Sequence, residues 1–350
     1  MKIDLKSMSL AETEAWVEEA GLPPYKARQV RRWLFKAWVQ SFEEMTDVSK
    51  DLRESLAEKA RIHHLEEAEV ETSGDGTRKY LFRLQDGHLI ETVLIPERGH
   101  FTLCISSQVG CAMNCRFCVT GKQGLKRDLT VAEIIDQVVH VKRALTDPER
   151  LTNIVFMGMG EPLANYERVV KAAGNLVAED GMNFSHRTVT LSTCGLVPEI
   201  RKLGRDTKIN LAVSPNGADD ETRNSLMPVN RVYPLEELIS ALRDFPLPNR
   251  RMITIEYILI RNLNDRDEDA LKLVSLLKGL RAKVNLIPLN PHPVLEMETP
   301  SPERILHFQD ILTRRHLTAI IRKSKGRDIS AACGQLSGKH AGCVSQVAGC

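Results

Sequence analysis

Residues 102–118 read TLCISSQVGCAMNCRFC. A short apolar run rich in β-branched residues gives way to a polar loop that carries Cys111, Cys115 and Cys118 at C-x3-C-x2-C spacing. The run predicts a buried strand and the loop leaves its end. Strands of the same texture recur at NIVFMG (153–158), TVTLST (188–193), INLAVS (209–214), TIEYILI (254–260) and VNLIPLN (284–290), with LTAIIRKS (317–324) as a last one. Helical patterns between them begin near Thr130, Asn165, Leu196, Leu235 and Asp265, and another starts from Ser301. Alternation of this kind builds parallel βαβ units, and six or more continuous apolar strands predict an α/β fold with a TIM-like barrel or a part of one. A doubly wound open sheet is the alternative, but Gly158 and Gly160 run into Glu161-Pro162 where the dinucleotide fingerprint needs a third glycine. In a barrel the polar residues just after each strand gather on one face. The cysteine loop, Gly160-Glu161, Ser192-Thr193, residues 214–216 and Asn290 are therefore read as one site.

Upstream of this region the texture differs. Residues 8–61 read helical, and from Tyr25 to Gln40 the residues Val30, Trp33, Leu34, Ala37 and Trp38 make one apolar stripe. Lys26, Arg28, Arg31, Arg32 and Lys36 occupy the opposite face, which is either a phosphate contact or a solvated helix surface. VETSGDGTRKYLFRLQDGHLIETVLIP then reads as short strands joined by Gly-Asp-Gly and Asp-Gly turns. The expected organisation is a helical and β-hairpin N-terminal domain over 1–98, a barrel over 99–328 and a C-terminal tail over 329–350.

Composition narrows the chemistry. An apolar share of 42% in 350 residues is ample for a large core, and the net charge of +2 announces no global attraction to nucleic acid. The N-terminal residues show no signal-type apolar core, and no stretch approaches the roughly 18–20 apolar residues of a membrane span. The expectation is a cytoplasmic protein with no membrane partner. Eight cysteines scattered through a chain of this size favour reduced thiols used for metal or catalysis.

Three thiols at 111, 115 and 118 lack the second pair that a structural zinc site takes. Thiolate-rich coordination suits an iron–sulfur cluster, and a 4Fe-4S cubane held by three thiolates leaves one iron open to a substrate. C-x3-C-x2-C with Phe117 before the third cysteine resembles the signature of radical S-adenosylmethionine (SAM) enzymes. That resemblance implies a partial (β/α)6 barrel, SAM on the open iron, and an electron from the cluster that cleaves SAM to a deoxyadenosyl radical. GMGEP, residues 158–162, resembles the glycine-rich strand end of the superfamily, in which the backbone at Gly160 and the carboxylate of Glu161 hold the SAM amino group.

CISSQVGCAMNCRFCVTG, FMGMGEPLAN, LSTCGLVP, LIPLNPHP and DISAACGQL resemble, in order, the motifs of the Cfr/RlmN family of radical SAM RNA methyltransferases, over roughly residues 20–340. The resemblance implies methylation of carbon 2 of an adenosine in 23S rRNA and in tRNA beside the anticodon, with two SAM molecules per turnover. Cys333 matches the cysteine that first takes a methyl group, and Cys104 the one that later closes a disulfide with it and frees the product. Glu91 matches the proton acceptor. Ser192, Ser214, Asn216 and Asn290 match positions that contact SAM, although Pro215 departs from the family pattern and removes a backbone donor. An electron donor such as flavodoxin or ferredoxin and a monomeric state belong to the same expectation. A Cfr-like enzyme acting on carbon 8, a radical SAM enzyme acting on a protein, and a zinc or redox module are the alternatives. Further basic clusters at KQGLKR (122–127), Arg250-Arg251, Arg314-Arg315 and RKSKGR (322–327) are candidate RNA contacts. Cys194 reads as a packing residue, and Cys343 and Cys350 as adventitious thiols in a tail expected to be mobile.

Overall fold

Three helices come first, α1 (Leu10–Glu19), α2 (Tyr25–Phe35) and α3 (Lys50–Lys59), in a computed structural model that describes residues 2–337. Most of the rest is built on a ten-stranded sheet whose order in space is its order in sequence, beside two short two-stranded pairings, Ile3–Asp4 with Ala60–Arg61 and Gln108–Val109 with Arg127–Asp128. Its strands are β1 (Glu66–Thr72), β2 (Arg78–Arg83), β3 (Leu89–Glu97), β4 (His100–Cys104), β5 (Leu151–Phe156), β6 (Val189–Thr193), β7 (Asn210–Val213), β8 (Ile253–Leu259), β9 (Ala282–Pro288) and β10 (Ala319–Ile321). From β1 to β4 the pairing is an antiparallel meander. From β4 onward every pairing is parallel. The parallel steps are made by α4 (Val131–Ala144), α5 (Tyr166–Val177), α6 (Val197–Asp206), α7 (Asp220–Leu226), α8 (Leu235–Asp244), α9 (Asp267–Leu276) and α10 (Pro302–Thr313).

Strand periodicity divides the parallel half into two faces. Ile255, Tyr257 and Leu259 of β8 and Val284 and Leu286 of β9 are fully buried. Tyr257 stacks on Phe308 of α10 with ring centroids 5.7 Å apart. Each such side chain stabilises the fold by about 1.5–3 kcal/mol through burial. Met157 and Ser192, just past or at the ends of β5 and β6, line one cavity together with Ser214, Glu256, Ile258, Ile287 and Arg322. Strands spread across the sheet therefore surround a common space, as in a partial barrel. Helix starts are fixed locally: Thr130 and Glu133 form a capping box on α4, and Asp219 and Ser301 cap α7 and α10.

The expected N-terminal elements form with two differences. Helix α2 ends at Phe35, and Trp38 adopts a left-handed conformation with φ 57°. Its buried stripe is Ala27, Val30, Arg31, Leu34 and Phe35, so Arg31 leaves the exposed basic face. The Arg31 guanidinium instead pairs with Asp180 and donates to Asn175 Oδ1 at 3.0 Å and to the Met8 carbonyl at 2.9 Å. The boundary expected at residue 98 falls between β3 and β4, which are hydrogen bonded to each other. A second buried clamp ties the N-terminus to α4. Lys6 and Asp136, both with fully buried side chains, form an ion pair, while Lys6 Nζ donates to the His63 carbonyl at 2.7 Å and Leu65 N–H to Asp136 at 2.6 Å.

Candidate active site

The cysteine loop is built by close backbone approach. Gly110 (φ 74°) precedes Cys111, and a Cβ on it would stand 1.9 Å from the Gly124 carbonyl oxygen. Only glycine fits there. Cys111 N–H donates to Gly124 O at 3.2 Å and Cys118 N–H to Cys115 O at 3.1 Å. Strand end 157–161 meshes with residues 105–108 in the same way. Gly158 N–H donates to Ile105 O (3.1 Å), Met159 N–H to Ser106 Oγ (2.9 Å) and Glu161 N–H to Gln108 Oε1 (2.8 Å). The glycines of GMGEP thus admit the chain's own backbone: a Cβ on Gly158 would meet the Ile105 carbonyl at 2.7 Å. Glu161 is 4% exposed and its carboxylate accepts from Cys194 N–H at 2.8 Å and Leu163 N–H at 3.0 Å. Burial pushes its carboxyl above the usual range, against those two donors.

A short helical turn, Val119–Lys122, follows Cys118 and grips the C-terminal segment. Val119 N–H donates to Gly334 O at 2.8 Å and Thr120 Oγ1 to Leu336 O at 2.7 Å. On the other side Asn290 Nδ2 donates to Cys333 O at 3.1 Å, and Glu91 accepts Ser337 N–H at 2.7 Å. These bonds set Cys333 into the wall of the cavity that Cys111, Cys115, Cys118, Gly160, Glu161, Ser192, Ser214 and Asn216 also line. Nine expected site residues therefore share one cavity.

The other three lie elsewhere. Asn290 lines a second cavity, which shares Cys333 with the first. Cys104, on β4, is buried beside Cys333; burial first, and the Cys333 thiol second, push its own thiol up to about 12. Both cysteines are free thiols. Glu91, on β3, is 1% exposed and lines neither cavity; besides Ser337 N–H, its carboxylate lies 3.6 Å from Lys79 Nζ. Asn216, at φ 53° after Pro215, spends its Oδ1 on Ile258 N–H at 2.9 Å. Among the candidate RNA contacts, Arg127 pairs with Glu133 and Asp86, Arg314 with Asp310, and Arg251 donates to the Lys208 carbonyl. Cys343 and Cys350 lie outside the described residues.

Two side chains, Glu256 and Arg223, escaped sequence reasoning, and a third, Arg322, was expected only as an RNA contact within 322–327. Arg322 lines both cavities, and the neighbouring Cys333 thiol is the main influence that raises its pKa further. Glu256 lines the first cavity from β8, with one carboxylate oxygen bonded to Asn285 Nδ2 at 3.0 Å and burial pushing its carboxyl up. A charge inside TIEYILI was the available signal. Arg223, fully buried, donates to Cys194 O at 2.7 Å and nothing local in its sequence announced it.

Burial pushes the Cys111 thiol up to about 12 and those of Cys115 and Cys118 upward as well. Such thiols become thiolates when a metal centre replaces the proton. Among the described residues no three His, Cys, Asp or Glu side chains gather to hold a single metal ion. A cubane instead takes one thiolate on each of three irons. The donor set fits a 4Fe-4S cluster. A family model described as the radical SAM superfamily matches residues 105–274, and one described as the ribosomal RNA large subunit methyltransferase N-terminal domain matches 3–62. A protein from Geotalea uraniireducens named dual-specificity RNA methyltransferase RlmN is 51% identical over 97% of both chains. The chain belongs to the RlmN family of radical SAM methyltransferases. Another RlmN, from Geobacter sulfurreducens, is 52% identical over 96% of this chain and 92% of its own. The crystal structure of a radical SAM methyltransferase from Sphaerobacter thermophilus superposes with a TM-score of 0.92 at 45% identity, covering 96% of this chain and all of the other. Membership in the RlmN family brings a 4Fe-4S cluster and SAM as cofactors. Among the described residues no helix is long and apolar enough to cross a membrane.

Proposed function

We propose that this enzyme methylates carbon 2 of an adenosine in 23S rRNA, and of the adenosine beside the anticodon in tRNA, through a methyl group carried on Cys333. The observation that carries the reading is the placement of Cys333: a thiol 215 positions beyond Cys118 in sequence shares one cavity wall with all three cluster cysteines. Carbon 2 of adenine lies between two ring nitrogens and is too electron-poor to displace a methyl group from SAM as an amine does. When bound, the cluster and SAM supply the radical that activates a methyl group for such a carbon.

The chain's own residues do the rest. Cys333, as thiolate, attacks the methyl carbon of a first SAM, S-adenosylhomocysteine leaves, and the cysteine becomes S-methylcysteine. Glu161 and the Gly160 backbone hold the amino group of the second SAM, and Ser192, Ser214 and Asn216 its remaining polar groups, whereas Asn290, expected in the same role, lines the second cavity. After the methylene carbon has bonded to the base, Glu91 accepts the ring proton, and the one electron the adduct must also lose would return to the cluster. The Cys104 thiol then bonds to the Cys333 sulfur as the sulfur–methylene bond breaks; the thiol proton ends on the departing carbon, which leaves as the new methyl group, and the disulfide stays on the protein. The helices within residues 1–98 are the proposed RNA-binding domain. Support comes from the exposed Arg28, Arg32 and Lys36, and from the name of the family model over 3–62. A low-potential electron carrier such as flavodoxin or ferredoxin supplies the electron.

Expression in a host that lacks its own enzyme, followed by digestion of its ribosomal RNA, is expected to yield 2-methyladenosine, and none with Cys333→Ala. Finding 8-methyladenosine would transfer the assignment to the carbon 8 reaction, and a methylated Cys333 with unmodified RNA would remove the RNA substrate.

A further inference from the structure

Cys333 stands in a wall shared by two cavities. One holds the cluster cysteines and Glu161; the other, of about 350 Å³, is lined by Ile95, Glu97, Asn290, Arg322, Lys323 and Lys325 among others. Ile287 and Arg322 also face both. We propose that the second cavity receives the target nucleotide, its base against Ile95 and Ile287 beside the Cys333 sulfur, with Lys323 and Lys325 on the phosphates that flank it. The proposal rests on the RNA methyltransferase reading above and adds where the RNA sits and what holds it.

The first argument is access. A sulfur that receives a methyl group from SAM and delivers its carbon to a nucleobase must be reached by both molecules, and the cluster cavity is committed to SAM. A sulfur in a shared wall meets that requirement without moving. The second argument is topology. Ile95 and Glu97 belong to β3, whereas residues 322–325 follow β10, and these strands are far apart in the sheet order and not hydrogen bonded to each other. The second cavity thus lies between two parts of the sheet with no ladder closing it, and a flipped-out nucleotide enters there without breaking backbone pairs. Its size is near the lower end of the roughly 300–1,000 Å³ typical of small-ligand sites, which suits one nucleotide and not a duplex.

The third argument is charge and hydrogen bonding. Arg322, Lys323 and Lys325 face the cavity against the single carboxylate of Glu97. This local positive field is invisible in a net charge of +2. Lys323 is exposed, and Lys325 is only loosely paired, with its ammonium 4.0 Å from Asp75. Both are available to phosphate oxygens, which lysine binds as a point charge. Asn290 is 4% exposed; its Nδ2 is used on Cys333 O, while its buried Oδ1 has no hydrogen-bond partner. A buried acceptor of this kind is completed by a donor brought by the ligand, and the exocyclic amino group of adenine is such a donor.

The test uses the full chain with its cluster and a fluorescently labelled ribosomal RNA fragment containing the modified adenosine. Lys323→Ala combined with Lys325→Ala is expected to weaken RNA binding roughly 10-fold at about 0.15 M salt. The slope of log affinity against log salt should fall by about 0.7–0.9 for each lysine. Methylation of Cys333 by SAM without RNA, read by mass spectrometry, is expected at the wild-type rate, because neither lysine lines the cluster cavity. Affinity and salt slope equal to wild type would overturn the placement while leaving the RNA methyltransferase reading intact. Failure of the wild-type protein to modify the RNA at all would instead remove that reading, and the placement with it.

Discussion

Glu91 shows how one carboxylate carries two demands. It accepts Ser337 N–H at 2.7 Å, which helps to seat the segment carrying Cys333, and it is the proposed acceptor of the adenine ring proton. The two roles separate in mutants. Glu91→Gln keeps a carbonyl oxygen for Ser337 but no basic group; Glu91→Ala keeps neither. We expect Glu91→Gln to methylate Cys333 at nearly the wild-type rate and to slow RNA methylation by about 10²–10⁴-fold, the usual worth of a general base. Glu91→Ala should slow both steps, because Ser337 N–H loses its partner. Rapid RNA methylation by Glu91→Gln, followed by mass spectrometry of the Cys333 peptide and of digested RNA, would reduce Glu91 to an anchor. Taken alone in sequence, Glu91 reads with even odds as a solvent-facing strand residue. Its bond to Ser337 spans 246 positions, so no local pattern discloses it.

At the scale of elements, the strands and the cysteine loop were largely legible because continuous apolar runs and turn residues are local signals. All seven strands from β4 to β10 fall within two residues or so of the runs that suggested them, apart from the frayed ends of TLCISS and LTAIIRKS. Helix α7 was not legible: DETRNSL carries too few apolar residues to show a helical period, and its buried Arg223 and Leu226 act through tertiary contacts. The stripe on α2 was misdrawn for a similar reason, since Arg31 is buried by a partner, Asp180, that lies 149 positions away. The mesh between 105–108 and 157–161 was only half visible, as glycines without the surface they approach. It predicts that Gly160→Ala is costly: the backbone there has φ 101°, and a Cβ would stand 2.5 Å from Gln108 Cβ. Strain of about 1–3 kcal/mol at such a conformation adds to the displaced Gln108, whose Oε1 holds Glu161 N–H. Urea unfolding should show a loss of about 2 kcal/mol or more, and the cluster-loaded variant should fail to bind SAM at concentrations that saturate wild type. Normal SAM binding by a destabilised variant would detach the mesh from the SAM site.

At the scale of the molecule, the N-terminal helices and the barrel are held together by buried charge as well as by apolar packing. Lys6 and Asp136 have no exposed side-chain surface, and Asp136 sits on α4, the helix that follows the cysteine loop. Taking two ions out of water costs several kcal/mol each, and their attraction offsets this only while both are present. Asp136→Ala leaves an ammonium stranded and should destabilise the protein by about 3–5 kcal/mol. Replacing the pair by Lys6→Met with Asp136→Leu removes the stranded charge, and in a purely ionic contact that would restore stability. Here it should restore only part. The Leu65 N–H and the His63 carbonyl also depend on this pair, and each buried backbone group left without a partner costs about 1–3 kcal/mol. Denaturant unfolding of the two variants decides between the accounts. Full recovery in the double variant would mean that the backbone groups find water, and a loss below about 1 kcal/mol in Asp136→Ala would mean that the helices are held by their apolar faces alone.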